Sequence, residues 1–405
     1  MEPEFRKSGN GGNSPRDVLR LLFECGPLGQ VAAAGLLGIT KAACNLHFQR
    51  LTADGFIEPA EISGSGRGRP AQTWRVRSGN CFLGMTLQHS GIFAELIDFN
   101  ASSRFRKNIP LEPNVARDGI RDRLRALWEE AKMYLLPEER LLQCFIGVPG
   151  AIAVDGTILN SPNFPVLNGW NLDRFALDCG IACYTDTIGL AVIRGETCGI
   201  PVDTVAAILD WSEGFGVTFA QNGQRLLFPA PGSRRYHGLW DFGHIRYKLN
   251  GRRCYCGKAG CLEAYIGGVA LLEQHLELPC RTVKQLVELL RSGHSEACGF
   301  FADAVRIMTE ALYPALELLG VEVIILCGTL RDAFEVFRPK FQNALEKFYT
   351  PEEIGAFSIR SGGESFPTLS HGAALTARQY FLSPEVIGRY RGLGQSVLQN
   401  SNQNQ

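Results

Sequence analysis

The sequence predicts an α/β protein in two parts: a winged helix-turn-helix head followed by a larger body of strands alternating with helices. Three observations predict it. Residues 15–53 carry apolar positions at helical spacing, interrupted at Gly26-Pro27 and again at Gly38. The stretch that follows reads as a hairpin with an arginine-rich tip. From Cys81 onward short apolar runs alternate with helical patterns, the order of an α/β domain.

Size and composition fit this division. A chain of 405 residues is too long for one compact core, so two or three domains are expected. Hydrophobic residues make up 45% and charged residues 20%, the balance of an ordinary globular protein. No run of 18 uncharged apolar residues suggests a membrane span, and the start, MEPEFRKSGNGGNSPRD, lacks the apolar core of a secretory signal. A cytoplasmic protein without a membrane partner is expected.

Taken in order, residues 1–15 are polar and Gly-rich and are expected to form a disordered arm. DVLRLLFECG then places Val18, Leu19, Leu22 and Phe23 on one helix face. A second short helix ends at Gly38, and Thr40 is a good N-cap for a third, KAACNLHFQRLTADG. Helix, short turn and helix leading through GFIEP into a strand is a helix-turn-helix pattern. SGSGRGRPAQTWRVR follows as the hairpin, and Ser78–Asn80 as a linker. In the body, strands are expected over 81–88, 92–99, 141–150, 204–211, 215–223 and 321–328, and helices over 118–135, 282–293 and 302–320.

The net charge is zero, so the whole chain carries no nucleic-acid signal. Residues 1–80, however, hold ten Lys/Arg against seven Asp/Glu, and four of the ten are Arg67, Arg69, Arg75 and Arg77. The third helix offers Lys41, Ala42 and Asn45 near its N-terminus, small or polar side chains suited to close approach in a major groove. Glycines flank Arg67 and Arg69, leaving both free to enter a minor groove or lie on phosphates. A three-helix module for protein contact or dimerisation would account for the helices alone. The arginine-tipped hairpin favours operator DNA.

Thirteen cysteines are many for a reducing compartment. Ten are scattered and read as small buried apolar residues. Cys254, Cys256 and Cys261 are clustered in DFGHIRYKLNGRRCYCGKAGCLEAYIGG, and His244 precedes the first by ten positions. Three thiolates and an imidazole form a closed tetrahedral set, the geometry of structural Zn2+, and the glycines at 257 and 260 let the loop curl around it. A chance group of reduced thiols and a redox pair are the other readings.

That motif, G-H followed by C-x-C-G-x-x-G-C-x-E, resembles the signature of the ROK family of repressors and sugar kinases. TKAACNLHFQRLTADGFIE followed by GRGRP is similar to the head of its repressors, such as those of xylose and N-acetylglucosamine. GVPGAIAVDGTILNSPNFPVLNGW resembles the segment leading to the sugar pocket, and VEVIILCGTL and SHGAALTA its late strand and closing helix. The resemblance implies an actin-like (ribonuclease H-like) fold of two lobes with sugar between them. The implied division is a head over 16–78, lobes over 79–195 and 196–390, a last helix able to return to the first lobe, and a tail over 391–405. It also implies sugar contacts from Asn163, Asp186, Asp241, His244 and Glu263, with Asp186 at the family's catalytic-base position. Two neighbours depart from the pattern: Asp241 replaces Glu, and Thr185 replaces the Asn before Asp186. Locally, Asn163 also suits a turn cap, and Glu263 a helix cap or a brace for a zinc ligand.

The nucleotide motifs depart further. Where the family's kinases carry D-x-G-x-T, this chain has Thr86, Gln88 and Ser90, so the metal-side carboxylate is missing. Their glycine-rich second phosphate loop reads SEGFG here, and Glu213 would place a negative charge beside a triphosphate. The expectation is therefore a sugar-responsive regulator of carbohydrate genes with no turnover. It would act as a homodimer or tetramer on operator DNA, with a sugar or sugar phosphate as effector. An active sugar kinase, or a repressor controlled by a protein partner without a small molecule, remains the alternative.

Overall fold

The computed structural model describes residues 14–60, 72–88, 91–112, 114–153, 155–161, 164–197, 199–201, 203–229, 236–363 and 365–383. Arg67, Arg69, Ser90, Asn163, most of the N-terminal arm and the tail lie outside the described residues.

Helix α1 (Pro15–Cys25) starts on a reciprocal cap. Ser14 Oγ accepts from Asp17 N at 3.3 Å, and Asp17 Oδ2 accepts from Ser14 N at 3.1 Å. Helix α2 (Gln30–Leu37) ends at Gly38, whose φ of 67° turns the chain. Thr40 Oγ1 then caps α3 (Lys41–Ala53) through Ala43 N at 3.2 Å. The chain bends by 116° between α2 and α3, within the range for a helix-turn-helix. Strands β1 (Ile57–Pro59) and β2 (Trp74–Val76) pair antiparallel as the wing, with Pro59 opposite Trp74. Phe48 of α3 meets Trp74 edge-on at 5.3 Å and ties wing to helix.

Two lobes then repeat one topology. The first contains β3 (Cys81–Gln88), β4 (Gly91–Asp98), β5 (Ser103–Pro110), α4 (Arg117–Lys132) and β6 (Leu141–Val148). A small hairpin, β7 (Ala151–Ile152) with β8 (Ile158–Asn160), leads to α5 (Leu172–Asp178) and β9 (Cys183–Thr187). Helix α6 (Ile188–Glu196) crosses to the second lobe: β10 (Val205–Trp211), β11 (Phe215–Gln221), β12 (Gln224–Arg225) and a short pair, β13 (Leu227–Pro229) with β14 (Tyr236–Gly238). After these come α7 (Glu263–Ile266), α8 (Gly268–Gln274), α9 (Val283–Arg291), α10 (Ser295–Leu319), β15 (Val321–Cys327), α11 (Phe334–Leu345), α12 (Pro351–Ala356), β16 (Ser358–Ser361) and α13 (Ser365–Leu382). The sheets run β5-β4-β3-β6-β9 and β12-β11-β10-β15-β16, so each is an antiparallel meander extended by parallel strands. No single helix among the described residues is long and apolar enough to cross a membrane.

Strands β3 and β4 are buried on both faces because helices cover each side of their sheet. Helices α4 and α5 cover one face. On the other, α13 returns to the first lobe and packs so closely that a Cβ on Gly84 would lie 1.9 Å from Ala374 N. The head docks on this second face. Phe82 and Phe99 of the lobe meet edge-on at 4.8 Å, Phe23 of α1 lies 6.2 Å from Phe99, and Phe56 lies 5.8 Å from Phe381 of α13. The Arg378 guanidinium sits 4.8 Å over the Phe23 ring.

A buried carboxylate holds α13 in place. Glu95 of β4 receives two hydrogen bonds of 2.9 Å from Arg106 and one of 2.9 Å from Ser370, and His371 Nδ1 lies 3.0 Å away. Burial alone would raise its pKa, but the bonds from His371, Arg106 and Ser370 outweigh that and hold it at about 2, against an ordinary 4.5. A depressed carboxyl contributes stability above its unfolded pKa and loses it as pH falls through the folded value. Stability should therefore decline between about pH 4.5 and 2. Glu95→Gln should flatten that acid limb in urea unfolding followed against pH, and an unaltered limb would refute this role.

Candidate functional site

The cysteine loop curls between a 3₁₀ turn, Leu239–His244, and α7. Tyr247 N and Lys248 N both donate to Gly260 O, at 2.8 and 3.1 Å, and Cys254 N donates to Lys258 O at 2.8 Å. Gly260 has φ of 80°, and a Cβ there would lie 1.7 Å from Lys248 O, so the curl requires glycine. The loop gathers His244, Cys254, Cys256 and Cys261 with their ligand atoms all within 4.8 Å of one another. Cys254 Sγ lies 3.6 Å from His244 Nδ1, and Cys256 Sγ lies 3.7 Å from Cys261 Sγ. Metal–ligand bonds of about 2.3 Å to sulfur and 2.0 Å to nitrogen give tetrahedral edges of about 3.5–3.8 Å, so the donor set fits a four-coordinate cation. Burial, reinforced by the neighbouring thiols, pushes Cys254 up to about 12.

Glu263, the first residue of α7, reaches from this loop to the loop between β10 and β11. Its Oε2 accepts from Phe215 N at 2.9 Å, while its buried Oε1 has no hydrogen-bond partner among the described residues. A Cβ on Gly214 would come within 2.8 Å of Glu263 Oε2, and one on Gly243 within 3.2 Å. The carboxylate thus sits between the two loops, with one oxygen open to a donor. Asp241 lies in the 3₁₀ turn just before His244.

Asp186 is the penultimate residue of β9, with Gly147 of β6 beside it and Thr86 of β3 beyond, in one row across the sheet. Its carboxylate is already engaged. Tyr184 Oη donates to Oδ2 at 2.7 Å, Thr187 N donates to Oδ1 at 2.6 Å, and Arg225 Nη2 of the second lobe lies 3.7 Å from Oδ1. Arg225 also donates to Thr187 Oγ1 at 3.0 Å. Both partners of the pair are buried, with side chains 5% and 7% exposed. Sequence reasoning missed Arg225. The available signal was Asn222-Gly223, a hairpin turn that folds β12 back along β11. Among the described residues Asp186 makes no hydrogen bond with Glu263 or His244. Thr86 Oγ1 is buried and without a hydrogen-bond partner among the described residues, and Ser212 O and Glu213 O accept from Gly268 N and Val269 N at 3.1 and 2.9 Å.

On the head, Cys44, Phe48 and Leu51 turn α3 inward. Lys41, Ala42 and Asn45 therefore lie on its exposed face.

The ROK family pattern matches residues 90–361. The chain is 22% identical over 348 residues to the DNA-binding transcriptional dual regulator NagC of Escherichia coli, covering 81% of this chain and 83% of that protein. A solved ROK family transcriptional regulator, a homologue of the E. coli MLC protein, superposes with a TM-score of 0.74 at 18% identity over 93% of this chain and 99% of its own. The ROK hexokinase of Thermus thermophilus superposes with a TM-score of 0.59 at 20% identity, over 73% of this chain and 97% of its own. The likeness to the enzyme is one of fold, and it leaves more of this chain unmatched than the regulator does. With the family pattern spanning most of the two-lobed body, the chain belongs to the ROK family.

Proposed function

We propose that this protein is a sugar-responsive, DNA-binding transcriptional regulator, whose two-lobed body senses a sugar or sugar phosphate and does not phosphorylate it. The helix-turn-helix head carries the reading. The exposed side chains of α3 suit a major groove, and the head is docked on the same lobe that bears Asp186. The name of the similar regulator NagC supports DNA as the ligand of the head. Arg67 and Arg69 would extend the contact from the hairpin tip, and paired heads of a homodimer or tetramer would read a palindromic operator. The proposed division is a head over 16–78 and lobes over 79–195 and 196–390, in a cytoplasmic protein.

Zinc is the cation that best suits three thiolates and an imidazole in a closed tetrahedron, with no open position for chemistry. It would brace the loop next to Glu263, whose open oxygen suits a sugar hydroxyl. Asn163, Asp186, Asp241 and His244 complete the proposed sugar set, with Asp186 restrained by Arg225. Three features argue against phosphoryl transfer: Thr86 where a metal-side carboxylate would stand, Gln88, and the exposed charge of Glu213.

Selection of operators from random DNA, repeated with sugars and sugar phosphates, tests the whole reading. A palindromic site released by one sugar class is expected, and robust ADP formation with any hexose would sink the sensor assignment. Asn45→Ala should weaken binding to that operator by about 1–3 kcal/mol and relax specificity at one base position. Arg67→Ala should weaken binding to all sequences and lower the salt slope by about one. Titrations at several salt concentrations measure both.

A further inference from the structure

A shallow, open hollow of about 320 Å³ lies on the outer layer of the first lobe, between α4 and α5 and away from the loops described above. Arg117 and Arg121 line it from successive turns of α4, and Arg174 and Asp178 from successive turns of α5, with Trp170 and Phe175 beside them. Three guanidiniums and one carboxylate line it, and Asp118 and Asp122 pair with Arg121 from beside it.

The three cations are committed to different degrees. Arg117 lies 5.6 Å over the Trp170 ring and is spent on the main chain, donating to Val166 O at 3.2 and 3.0 Å and to Asn168 O at 2.8 Å. Arg121 pairs with Asp118 at 3.1 Å through Nη1 and lies 3.8 Å from Asp122 Oδ1 through its buried Nε, which makes no hydrogen bond among the described residues. The exposed Arg174 guanidinium makes no ion pair or hydrogen bond among the described residues, even with Asp178 one turn away. Arg121 thus keeps hydrogen-bonding capacity beyond its two carboxylates, and Arg174 carries a charge without an ion pair among the described residues, beside an indole.

We propose that this cavity binds a phosphomonoester, with the phosphate held by Arg121 and Arg174 and the ester body against Trp170. Planar guanidinium forks suit the paired oxygens of a phosphate, and two such groups suit its double charge. A small ligand fits better than duplex DNA: the cavity is concave, and the head packs on the opposite face of the sheet, across from α4 and α5. Arg117 links the cavity to the first lobe's proposed sugar loop. It holds Asn168 O, and Asn168 Oδ1 in turn accepts from Ser161 N at 2.7 Å, two residues before Asn163. A phosphomonoester that draws on Arg117 therefore acts on that loop. This second step rests on the sugar reading; binding at the cavity does not.

Calorimetry on the full chain tests the site with a hexose 6-phosphate, a nucleoside monophosphate, inorganic phosphate and the unphosphorylated hexose as probes. The expected result is that at least one ester binds more tightly than inorganic phosphate, and that R121A/R174A weakens it about tenfold or more. R338A, on an exposed turn of α11, should leave it unchanged. Circular dichroism checks that each variant is folded. Equal ester binding by the wild type and R121A/R174A would overturn the site, as would displacement of the ester by random-sequence duplex. Loss of hexose binding alone would count against the sugar reading and leave this site standing, whereas failure of the ester with hexose binding intact would do the reverse.

Discussion

A Cys261→Ser variant, or the wild-type chain treated with a chelator, is expected to lose its one bound zinc and the ordered course of residues 245–262. Apart from the four donors, the loop's main side-chain anchor is Tyr265, whose Oη accepts from Arg252 N at 3.0 Å and whose ring lies 5.5 Å from Tyr247. Leu249 is 75% exposed and Tyr255 54%, and the loop's internal order comes from a few main-chain hydrogen bonds curled around the four donors. In small zinc-dependent domains the metal contributes about 10–16 kcal/mol, enough to decide whether they fold at all. Here the effect should stay local, because the second lobe has its own core, in which Trp211 packs 5.4 Å from Phe301 and 6.3 Å from Phe337. Amide exchange at Cys254, Gly257 and Gly260, whose N–H groups all bond within the loop, should accelerate on the order of a hundredfold or more. Glu263 should lose its fixed position against Phe215 N, and the sugar response should go with it. Cys298→Ser, on α10 and outside the donor set, is the control. Metal analysis that finds no zinc in the wild type, or unchanged exchange in Cys261→Ser, would remove the structural centre.

Features that announce themselves over a few residues were legible in the sequence. Thr40 marks the start of α3, the repeated apolar runs mark β3, β4, β10 and β15, and the cysteine spacing brings four donors together. Ser14, which composition alone assigns to the arm, forms a reciprocal cap with Asp17 of the first helix. Strand β5 escaped notice because SRFRKNIP is an edge strand with a largely solvated face, where a charged sequence costs little. Helix α10 begins at Ser295, seven residues before its apolar pattern suggests, with Ala297 N donating to the capping His294 Nδ1 at 3.4 Å. The site was legible in its residue types and not in its pairings. Glu95 with Arg106 and His371, and Asp186 with Arg225, join residues distant in sequence. Nothing within a ten-residue window shows which buried charge will neutralise which.

Arg225→Met is expected to destabilise the protein by about 3–5 kcal/mol, the usual cost of leaving one member of a buried ion pair unpaired. Asp186 would keep its bonds from Tyr184 Oη and Thr187 N but lose the cation that offsets its charge where the side chain is only 7% exposed. Asp186→Asn should also destabilise, but by less, because Arg225 keeps its bond to Thr187 Oγ1 at 3.0 Å. The double variant should recover much of the loss, because replacing both charges removes the desolvation penalty along with the attraction. Denaturant midpoints for the four proteins complete the cycle. It bears directly on function, because Arg225 belongs to the second lobe and Asp186 to the first. If the pair fastens the lobes, operator binding and its release by sugar should shift in each single variant and return toward normal in the double. If Asp186 instead acted as a catalytic base, Asp186→Asn would abolish turnover at near-native stability, and adding Arg225→Met would rescue nothing. Additive losses of stability across the cycle would mean that the two charges do not support each other, and the interlobe clasp would have to be abandoned.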